Sequence, residues 1–397
     1  MIYYRCEISS STASWQRRLH RILPFLLAFS LLTAISAIGQ EQVGNLLVRN
    51  FTTQNGLSSN SATFVFEDHQ GFIWIGTMDG LNRFDGSRFK VYRFDRNDST
   101  SISSNIVWCM IEDHHHDLWI GTHGGGLCRY NRSGDSFTRY TYQASDTTSL
   151  SHEDVAVLFQ DREDVIWVGT DGGGLDRLDP ATGRFTRFNI TGTGKNAFSS
   201  LKIISIQEDT MGNLILGTWN GGLDIFNKKT GQVKVIRAGK GLEGDDIWSL
   251  NTSAPDQFWV CQFMHGFQSF NSRTSRFFNL PYPGKRINHT VYSVAPEENG
   301  DLWIATNEGV FFGSFIQLPD KPVLGKQFVK VSNLLSTHLK VDSSGTVWVI
   351  TVDNGILQCW KKDPHFKTYS IQDLGIQDGQ VNKMRMESTK MPAAPAK

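Results

Sequence analysis

The chain repeats one short pattern seven times, and this periodicity constrains the fold more than any other feature. Each copy is an apolar run, and successive runs begin 45, 48, 48, 44, 44 and 45 residues apart. The residues that anchor the runs are Trp74, Trp119, Trp167, Ile215, Trp259, Trp303 and Trp348. Repeats of about 40–50 residues built from short apolar strands are typical of β-propellers, in which each repeat forms one blade. We therefore predict an all-β, seven-bladed β-propeller of four-stranded antiparallel blades.

The third repeat shows how one copy makes one blade. Residues 155–159 predict the innermost strand, and Asp161 begins a turn in which its carboxylate can accept backbone N–H bonds. Ile166–Thr170 predicts the second strand, whose Trp167 packs against the next blade while Gly169 lets the sheets approach closely. Leu175–Asp179 predicts the third strand, and the aromatic residues at 185 and 188 predict the outer one.

The start of the repeat region predicts how the ring closes. Residues 45–51 copy an outer strand but precede the first complete blade. We expect this N-terminal strand to complete the seventh blade, because closure removes the open edges of the first and last sheets. Residues 365–369 also resemble an outer strand and compete for the same place.

The first 39 residues differ from the rest of the chain. Three arginines at positions 17, 18 and 21 precede an apolar run over residues 22–38, with small residues before Gln40. This order is typical of a secretory signal peptide cleaved after Gly39, and an uncleaved membrane anchor is the alternative. The predicted organisation is a signal peptide at 1–39, a propeller at 40–369, and a degenerate further repeat with a disordered tail at 370–397. Either way, we expect a periplasmic location, with membrane contact only through an uncleaved segment.

Charge and cysteine content exclude two other classes of protein. Lys plus Arg and Asp plus Glu number 39 each, so the overall charge does not favour nucleic acid or an anionic membrane as a partner. Cys109 and Cys128 fall on non-adjacent strands of one repeat, and Cys261 and Cys359 lie in distant repeats. We expect four buried thiols rather than a disulfide framework.

A resemblance to a known family is carried by residues 68–85. Their Asp-x-x-Gly-x-x-Trp-Ile-Gly-Thr-x-x-Gly-Leu-Asn-Arg-Phe-Asp pattern resembles the two-component regulator propeller repeat, and the similarity extends over residues 45–369. It weakens in the last three repeats, where Ala305 replaces a glycine and residues 319–326 form an inserted loop. The resemblance implies the periplasmic sensor region of a hybrid two-component system of Bacteroidetes-like bacteria.

Family members continue into further sensor domains, a membrane helix and a histidine kinase. Here residues 380–384 resemble the opening of an eighth repeat, and residues 387–397 abandon the pattern. We therefore expect a truncated sensor that is not an enzyme and needs no cofactor, and that signals through adjoining domains or a homodimer. The sequence does not identify the ligand or the oligomeric state.

The turns between second and third strands carry the candidate ligand-binding residues. These positions change from repeat to repeat while the glycines and tryptophans recur, as expected for residues that contact a ligand. Carboxylates, amides, histidines and a tryptophan suit an oligosaccharide, which offers hydroxyl groups and a face for stacking. Each is also typical of an ordinary exposed turn. The candidates are Asp79, His123, Asp171, Trp219, Asn220, His265, Asn307, Glu308, Asp353 and Asn354.

Three other motifs suggest different chemistry. His114, His115 and His116 occupy a turn on the opposite face, where adjacent side chains diverge, so we expect no metal site there. The glycine-rich turns at 124–126 and 172–174 lack the helix and lysine of a phosphate-binding loop. The alternative function is a secreted metal-assisted enzyme similar to the streptogramin lyases, which would require His265, Glu308 and His123 to converge.

Overall fold

The computed structural model describes residues 46–192, 194–280, 289–297, 300–317, 322–324 and 328–361. These residues form seven sheets, each of which corresponds to one sequence repeat. The predicted seven-bladed β-propeller is confirmed. The strands lie in the first of two compact units, Met1–Trp360; the second, Lys361–Lys397, lies almost wholly outside the described residues.

The strands are numbered in chain order, and each blade is given from its innermost strand outward. Blade 1 consists of β2 (Ala62–Glu67), β3 (Ile73–Thr77), β4 (Gly80–Phe84) and β5 (Phe89–Tyr92), and blade 2 consists of β6 (Val107–Glu112), β7 (Leu118–Thr122), β8 (Leu127–Asn131) and β9 (Ser136–Tyr140). Blade 3 consists of β10 (Val155–Gln160), β11 (Ile166–Thr170), β12 (Leu175–Asp179) and β13 (Arg184–Phe188). Blade 4 consists of β14 (Ile203–Glu208), β15 (Asn213–Thr218), β16 (Gly222–Asn227) and β17 (Val233–Ile236).

Blades 5 and 6 follow the same plan, with one addition in blade 6. They consist of β18 (Ile247–Ala254), β19 (Gln257–Gln262), β20 (Gly266–Asn271) and β21 (Arg276–Asn279), and of β22 (Val291–Pro296), β23 (Asp301–Thr306), β24 (Gly309–Gln317) and β26 (Val329–Ser332). The addition is β25 (Pro322–Leu324), which pairs with the far end of β24. The insertion predicted as a loop at 319–326 therefore includes a strand, because β24 runs on past the blade and offers it a partner.

Blade 7 is built from both ends of the propeller. It consists of β27 (Ser336–Val341), β28 (Val347–Thr351), β29 (Ile356–Lys361) and, as its outer strand, β1 (Leu46–Phe51). The short 3-10 helix Thr53–Asn55 follows β1. Phe51 stacks on Trp348 of blade 7 at 6.0 Å between ring centroids and lies 5.1 Å from the ring of Phe84 in blade 1. Closure by the N-terminal strand is thus confirmed, and the competing residues 365–369 lie outside the described residues.

We call the turn between the innermost and second strands of a blade its inner turn. An aspartate at this turn explains the six-residue Asp–Trp spacing in blades 1, 2, 3 and 7, and Glu297 takes its place in blade 6. In blade 1, Asp68 Oδ1 accepts the backbone N–H groups of Gln70 and Phe72, both at 3.0 Å. Its Oδ2 accepts the indole N–H of Trp74 at 2.9 Å, six residues along the chain. The same indole bond recurs at Asp113–Trp119, Asp161–Trp167 and Asp342–Trp348, with distances of 2.8, 2.7 and 2.8 Å. One carboxylate therefore joins the turn to the buried tryptophan that packs between blades.

Blade 4 lacks this tryptophan, since Ile215 occupies its place. There Asn213 Nδ2 donates to Asp209 Oδ2 at 3.0 Å and replaces the missing indole donor. The carboxylate is buried in both cases, so an unpaired oxygen would carry the full cost of desolvation.

The small residue after the buried run is required by the packing of neighbouring strands. A Cβ atom on Gly76 would lie 2.1 Å from Cε1 of Phe64, and one on Gly121 would lie 2.4 Å from Sγ of Cys109. Both contacts are far inside van der Waals distance. The glycine thus allows the large side chain of the innermost strand to lie across its own blade.

The four cysteines in the repeats are free, as the sequence predicts. Cys128, Cys261 and Cys359 are buried, and burial raises the pKa of the Cys261 and Cys359 thiols to about 12. They therefore serve as small apolar side chains. The predicted signal peptide and the tail at 370–397 lie outside the described residues. Within the part of the chain that the structure describes, no helix is long and apolar enough to span a bilayer.

Candidate functional site

One face of the propeller is formed by the turns between second and third strands, together with the residue before each innermost strand; we call it the turn face. In each blade the backbone N–H of a turn residue donates to the carbonyl of that preceding residue. These donor–acceptor pairs are Met78–Ser61, His123–Ile106, Asp171–Asp154, Trp219–Lys202, Phe263–Asp246, Asn307–Thr290 and Val352–Leu335, at 2.9 to 3.2 Å. This backbone bond recurs in all seven blades and holds each turn beside the start of the innermost strand of its own blade.

A second set of backbone bonds joins the turns of blades 1 to 5 and of blade 7 to the next blade. Gly80 N donates to Asn105 O at 2.6 Å, and Gly355 N donates to Asn60 O at 2.9 Å across the closure of the ring. Side chains reinforce these junctions, since Asp246 Oδ1 accepts the N–H of Asn220 at 2.8 Å. The turn face is therefore a connected rim rather than seven independent loops.

The first part of the rim is aromatic and covers blades 4 to 6. Trp219 lies 5.5 Å from the ring of Phe263 and 6.1 Å from Trp248, and Trp248 lies 5.1 Å from Tyr292. We call these four residues the aromatic cluster. All four are partly exposed, and burial raises the pKa of the Tyr292 hydroxyl, which therefore stays protonated at neutral pH. The cluster offers stacking faces and a hydroxyl donor at one place.

The second part of the rim is charged and covers blades 2 to 4. The Lys202 ammonium lies 2.9 Å from Asp171 Oδ1, and Nδ1 of His123 lies 2.8 Å from Asp154 Oδ1. Trp108 packs on the His123 ring at 4.5 Å between centroids. Asp154 also accepts the backbone N–H of Gly124 at 2.7 Å, so this carboxylate holds the turn as well as the histidine.

The sequence prediction found one member of the aromatic cluster and missed three. Trp248 and Tyr292 occupy the extra residue of a β-bulge, because the ladder shifts between Ile247 and Ser249 and between Val291 and Ser293. Side chains along a regular strand alternate between the two faces of the sheet, but a bulged residue interrupts this alternation. The face on which its side chain lies therefore cannot be predicted from the two-residue period of the strand. Aligning the repeats would have shown the signal, since Trp108 has the same position in blade 2.

Several predicted site residues make structural contacts, either within their own turn or with a neighbouring segment. Asp79 pairs with Arg93 at 2.9 Å, Asp353 accepts a hydrogen bond from Ser61, and Asn354 Nδ2 donates to the carbonyl of Val352 at 2.8 Å. Asn220 and Asp353 also hold positive φ angles of 62° and 58°. These side chains shape the rim.

The remaining candidates lie on blades 5 and 6. Nδ1 of His265 lies 2.9 Å from the carbonyl oxygen of Phe263. Asn307 Oδ1 accepts the N–H of Thr290 at 3.2 Å, and the backbone N–H of Glu308 donates to Thr306 Oγ1 at 3.0 Å. Most polar candidates thus serve the turns, and the aromatic cluster and the Lys202–Asp171 pair are the groups best placed to meet a ligand.

The three residues required for a metal-assisted lyase do not form a metal-ligand group. Among the described residues, one group of three His, Cys, Asp or Glu side chains has its ligand atoms within 4.8 Å of one another. His123, His265 and Glu308 do not belong to it. That group consists of His69, Glu112 and His116, at the inner turns of blades 1 and 2. The geometry that the lyase interpretation required is therefore missing at the turn face.

Comparison with known proteins agrees with the repeat pattern. The family model described as "Two component regulator propeller" matches residues 56–79 and 101–124. The chain carries two-component regulator propeller repeats. A curated relative, histidine kinase P4 of Formosa agariphila, is 48% identical over 61 residues, which is 15% of this chain and 4% of the relative. The chain thus matches only a small part of that kinase.

Solved structures extend the similarity over most of the propeller. The extracellular domain of the putative hybrid two component system BT3049 from B. thetaiotaomicron is 28% identical, with a TM-score of 0.68, and the match covers 84% of this chain and 44% of that one. A streptogramin B lyase shares the fold with a TM-score of 0.58 at 14% identity, over 80% of this chain and 98% of that one. The chain thus spans less than half of the extracellular domain that it resembles.

Proposed function

We propose that this propeller is the ligand-sensing part of the exported, periplasmic region of a two-component signalling protein, and that it recognises an oligosaccharide at the turn face. The similarity to the BT3049 extracellular domain supports the sensor role. The observation that carries the ligand class is the aromatic cluster of Trp219, Trp248, Phe263 and Tyr292 on the rim.

The two parts of the rim match the two kinds of surface on a sugar. Pyranose rings present C–H faces that pack on aromatic side chains, and hydroxyl groups that need donors and acceptors. Trp219 and Trp248 are nearly perpendicular to each other, at 72°, so they form a corner rather than a flat platform. The carboxylate of Asp171 and the ammonium of Lys202 lie on the adjoining blades and supply polar contacts. We therefore assign successive sugar units to the aromatic and charged parts.

The chain would report binding to adjoining domains or to a second copy, without catalysis in the propeller itself. A ligand shifts an equilibrium between two states only when it binds one of them more tightly. The aromatic contacts cross the boundaries between blades 4, 5 and 6, so a ligand held there would favour one relative position of those blades.

The test is a thermal-shift and calorimetry screen of the full chain against neutral and acidic oligosaccharides. A ligand at 100 times its Kd adds about 2.7 kcal/mol to the free energy of unfolding. We expect one glycan class to raise the Tm, and Trp219→Ala or Trp248→Ala to weaken its binding at least tenfold. Tyr142→Ala is the matched control, because Tyr142 is an exposed aromatic residue outside the cluster. Equal losses in all three variants, or no response to any glycan, would contradict the proposal.

A further inference from the structure

Two histidines and a glutamate meet on the face opposite the turn face, at the inner turns of blades 1 and 2. His69 Nδ1 bonds to Glu112 Oε1, and His116 Nδ1 lies 3.8 Å from the same oxygen. The two imidazole rings are 4.0 Å apart between centroids, with an angle of 30° between their planes. The ligand atoms of all three side chains lie within 4.8 Å of one another.

Glu112 is positioned by a contact that recurs around the propeller. Its Oε2 accepts the backbone N–H of His69 at 2.7 Å, which joins the inner turn of blade 1 to the last residue of β6. The same contact is made by Glu208 with the N–H of Arg162, at 3.0 Å, and by Glu67 with the N–H of Ser343, at 2.6 Å. Oε2 therefore serves the fold, and Oε1 is held facing the two histidines.

His116 is the residue that distinguishes this junction from the others. It has φ of 65°, at a turn position occupied by Gly71, Gly212 and Gly345 in blades 1, 4 and 7. A side chain in this left-handed region costs roughly 1–2 kcal/mol. His114 and His115 precede it, and His114 bonds to Asp164 of the next blade. The three adjacent histidines do diverge, as the sequence predicts, but His116 meets a histidine from the neighbouring repeat.

Arg132 is the cation that a metal would have to compete with. The guanidinium nitrogen Nη2 donates to Glu112 Oε1 at 2.8 Å, and Nη1 donates to Asp68 Oδ2 at 3.2 Å and to Gln70 Oε1 at 3.0 Å. The guanidinium can therefore release Glu112 and keep two partners. The nitrogen that contacts Oε1 also lies 3.4 Å from Nδ1 of His69, so the guanidinium has to move away from both ligand atoms when a metal binds, and its positive charge lowers the affinity for a cation.

We propose that His69, His116 and Oε1 of Glu112 bind a Zn²⁺ ion between blades 1 and 2. Two imidazole nitrogens and one carboxylate oxygen are a common zinc donor set, and imidazole favours zinc over calcium or magnesium. The side chains of His69 and His116 are 33% and 59% exposed, against 10% for Glu112, so solvent reaches the fourth position. The ion joins the inner turns of two adjacent blades.

The experiment is a Zn²⁺ titration of the full chain without a polyhistidine tag, followed by calorimetry and by competition with a chromogenic chelator. We expect one ion per chain and a Tm that rises with zinc. His69→Ala and His116→Ala should each weaken binding at least tenfold. The double variant His114→Ala/His115→Ala is the matched control, since it removes two neighbouring imidazoles and should bind as tightly as the unmodified chain. Absence of binding, or an equal loss in the control, would overturn the proposal.

Two further measurements separate this site from other histidines. Arg132→Gln removes the competing charge but keeps donors for Asp68, so we expect tighter zinc binding; unchanged affinity would refute Glu112 Oε1 as a ligand. Unfolding of each variant in the absence of zinc gives its own baseline, so that a loss of fold is not read as a loss of the site.

Discussion

Asp176 provides the sharpest quantitative test of the packing. It lies on β12 with 0% of its surface exposed, and burial raises the pKa of its carboxyl from 3.8 to about 7. Its Oδ2 accepts the backbone N–H of Ser151 at 2.8 Å. Blade 1 has Asn82 at the equivalent position, where Oδ1 accepts the N–H of Ser58 at 2.9 Å and Nδ2 donates to the carbonyl of Ile75 at 3.2 Å.

The substitution Asp176→Asn copies the blade 1 arrangement into blade 3. The register places Val168 opposite Asp176 as it places Ile75 opposite Asn82, so the new amide has a carbonyl to donate to. In the native chain, the Asp176 carboxyl stays protonated up to about pH 7 in the folded state but loses its proton near pH 3.8 in the unfolded state. Stability therefore falls as pH rises between these values. The difference, at 1.36 kcal/mol per pKa unit, corresponds to about 4 kcal/mol.

The assay is equilibrium urea unfolding of both chains from about pH 5 to about pH 8, with linear extrapolation to water. We expect the stability of Asp176→Asn relative to the native chain to rise by about 3 kcal/mol between pH 5 and pH 8, because about two pH units separate pH 5 from the folded-state pKa of about 7. Asp179→Asn is the control, because Asp179 is exposed on the same strand. The reasoning fails if the difference between the Asp176→Asn and native curves does not grow with pH, or if the control shows the same growth.

Three further predictions concern the repeated structural contacts, each measured by urea unfolding. Phe51→Ala should cost about 3–5 kcal/mol, because it empties the contact between blades 7 and 1, whereas Val48→Ala on the exposed side of β1 should cost little. Asp161→Ala should cost about 3–5 kcal/mol, since it leaves the Trp167 indole unpaired and removes an ion pair at 2.7 Å from the buried Lys228; Asp179→Ala is its control. Gly76→Ala should destabilise the chain because its Cβ would lie 2.1 Å from Phe64, whereas Gly134→Ala meets nothing closer than 3.1 Å; equal effects within any of these pairs would contradict the corresponding argument.

The fold could be predicted from sequence because its determinants are local and repeat with the blade. The inner-turn aspartate, the buried tryptophan and the glycine two residues after it recur at fixed spacing in the first three repeats, and the later repeats keep part of this pattern at the same period. The role of Asp68 in binding the Trp74 indole was not predicted, although the six-residue spacing was visible. Closure by β1 was predictable because β1 copies an outer strand but precedes the first complete blade. In a closed ring, such a strand can complete the last blade and remove its open edge.

The sites were harder to predict because they join residues from different repeats. Trp219 and Tyr292 are separated by more than one blade period, and the bulge that directs Tyr292 toward Trp248 becomes apparent only when the repeats are aligned. His116 meets His69 only because the inner turns of two blades are adjacent in space. The three adjacent histidines of blade 2 do not by themselves indicate this contact, because His69 belongs to another repeat.

The contacts between blades explain why the turn face can vary while the fold persists. Each turn is held by a backbone bond to the residue before its own innermost strand, and the turns of blades 1 to 5 and of blade 7 are also bonded to the next blade. Backbone bonds of this kind place no demand on the side chain. The buried tryptophans and turn aspartates supply the packing below the rim. Side chains such as Trp219, Asp171 and His123 can therefore change between repeats without loss of the core. These three side chains also link neighbouring blades at the rim, because each of them contacts a residue of the blade that follows it.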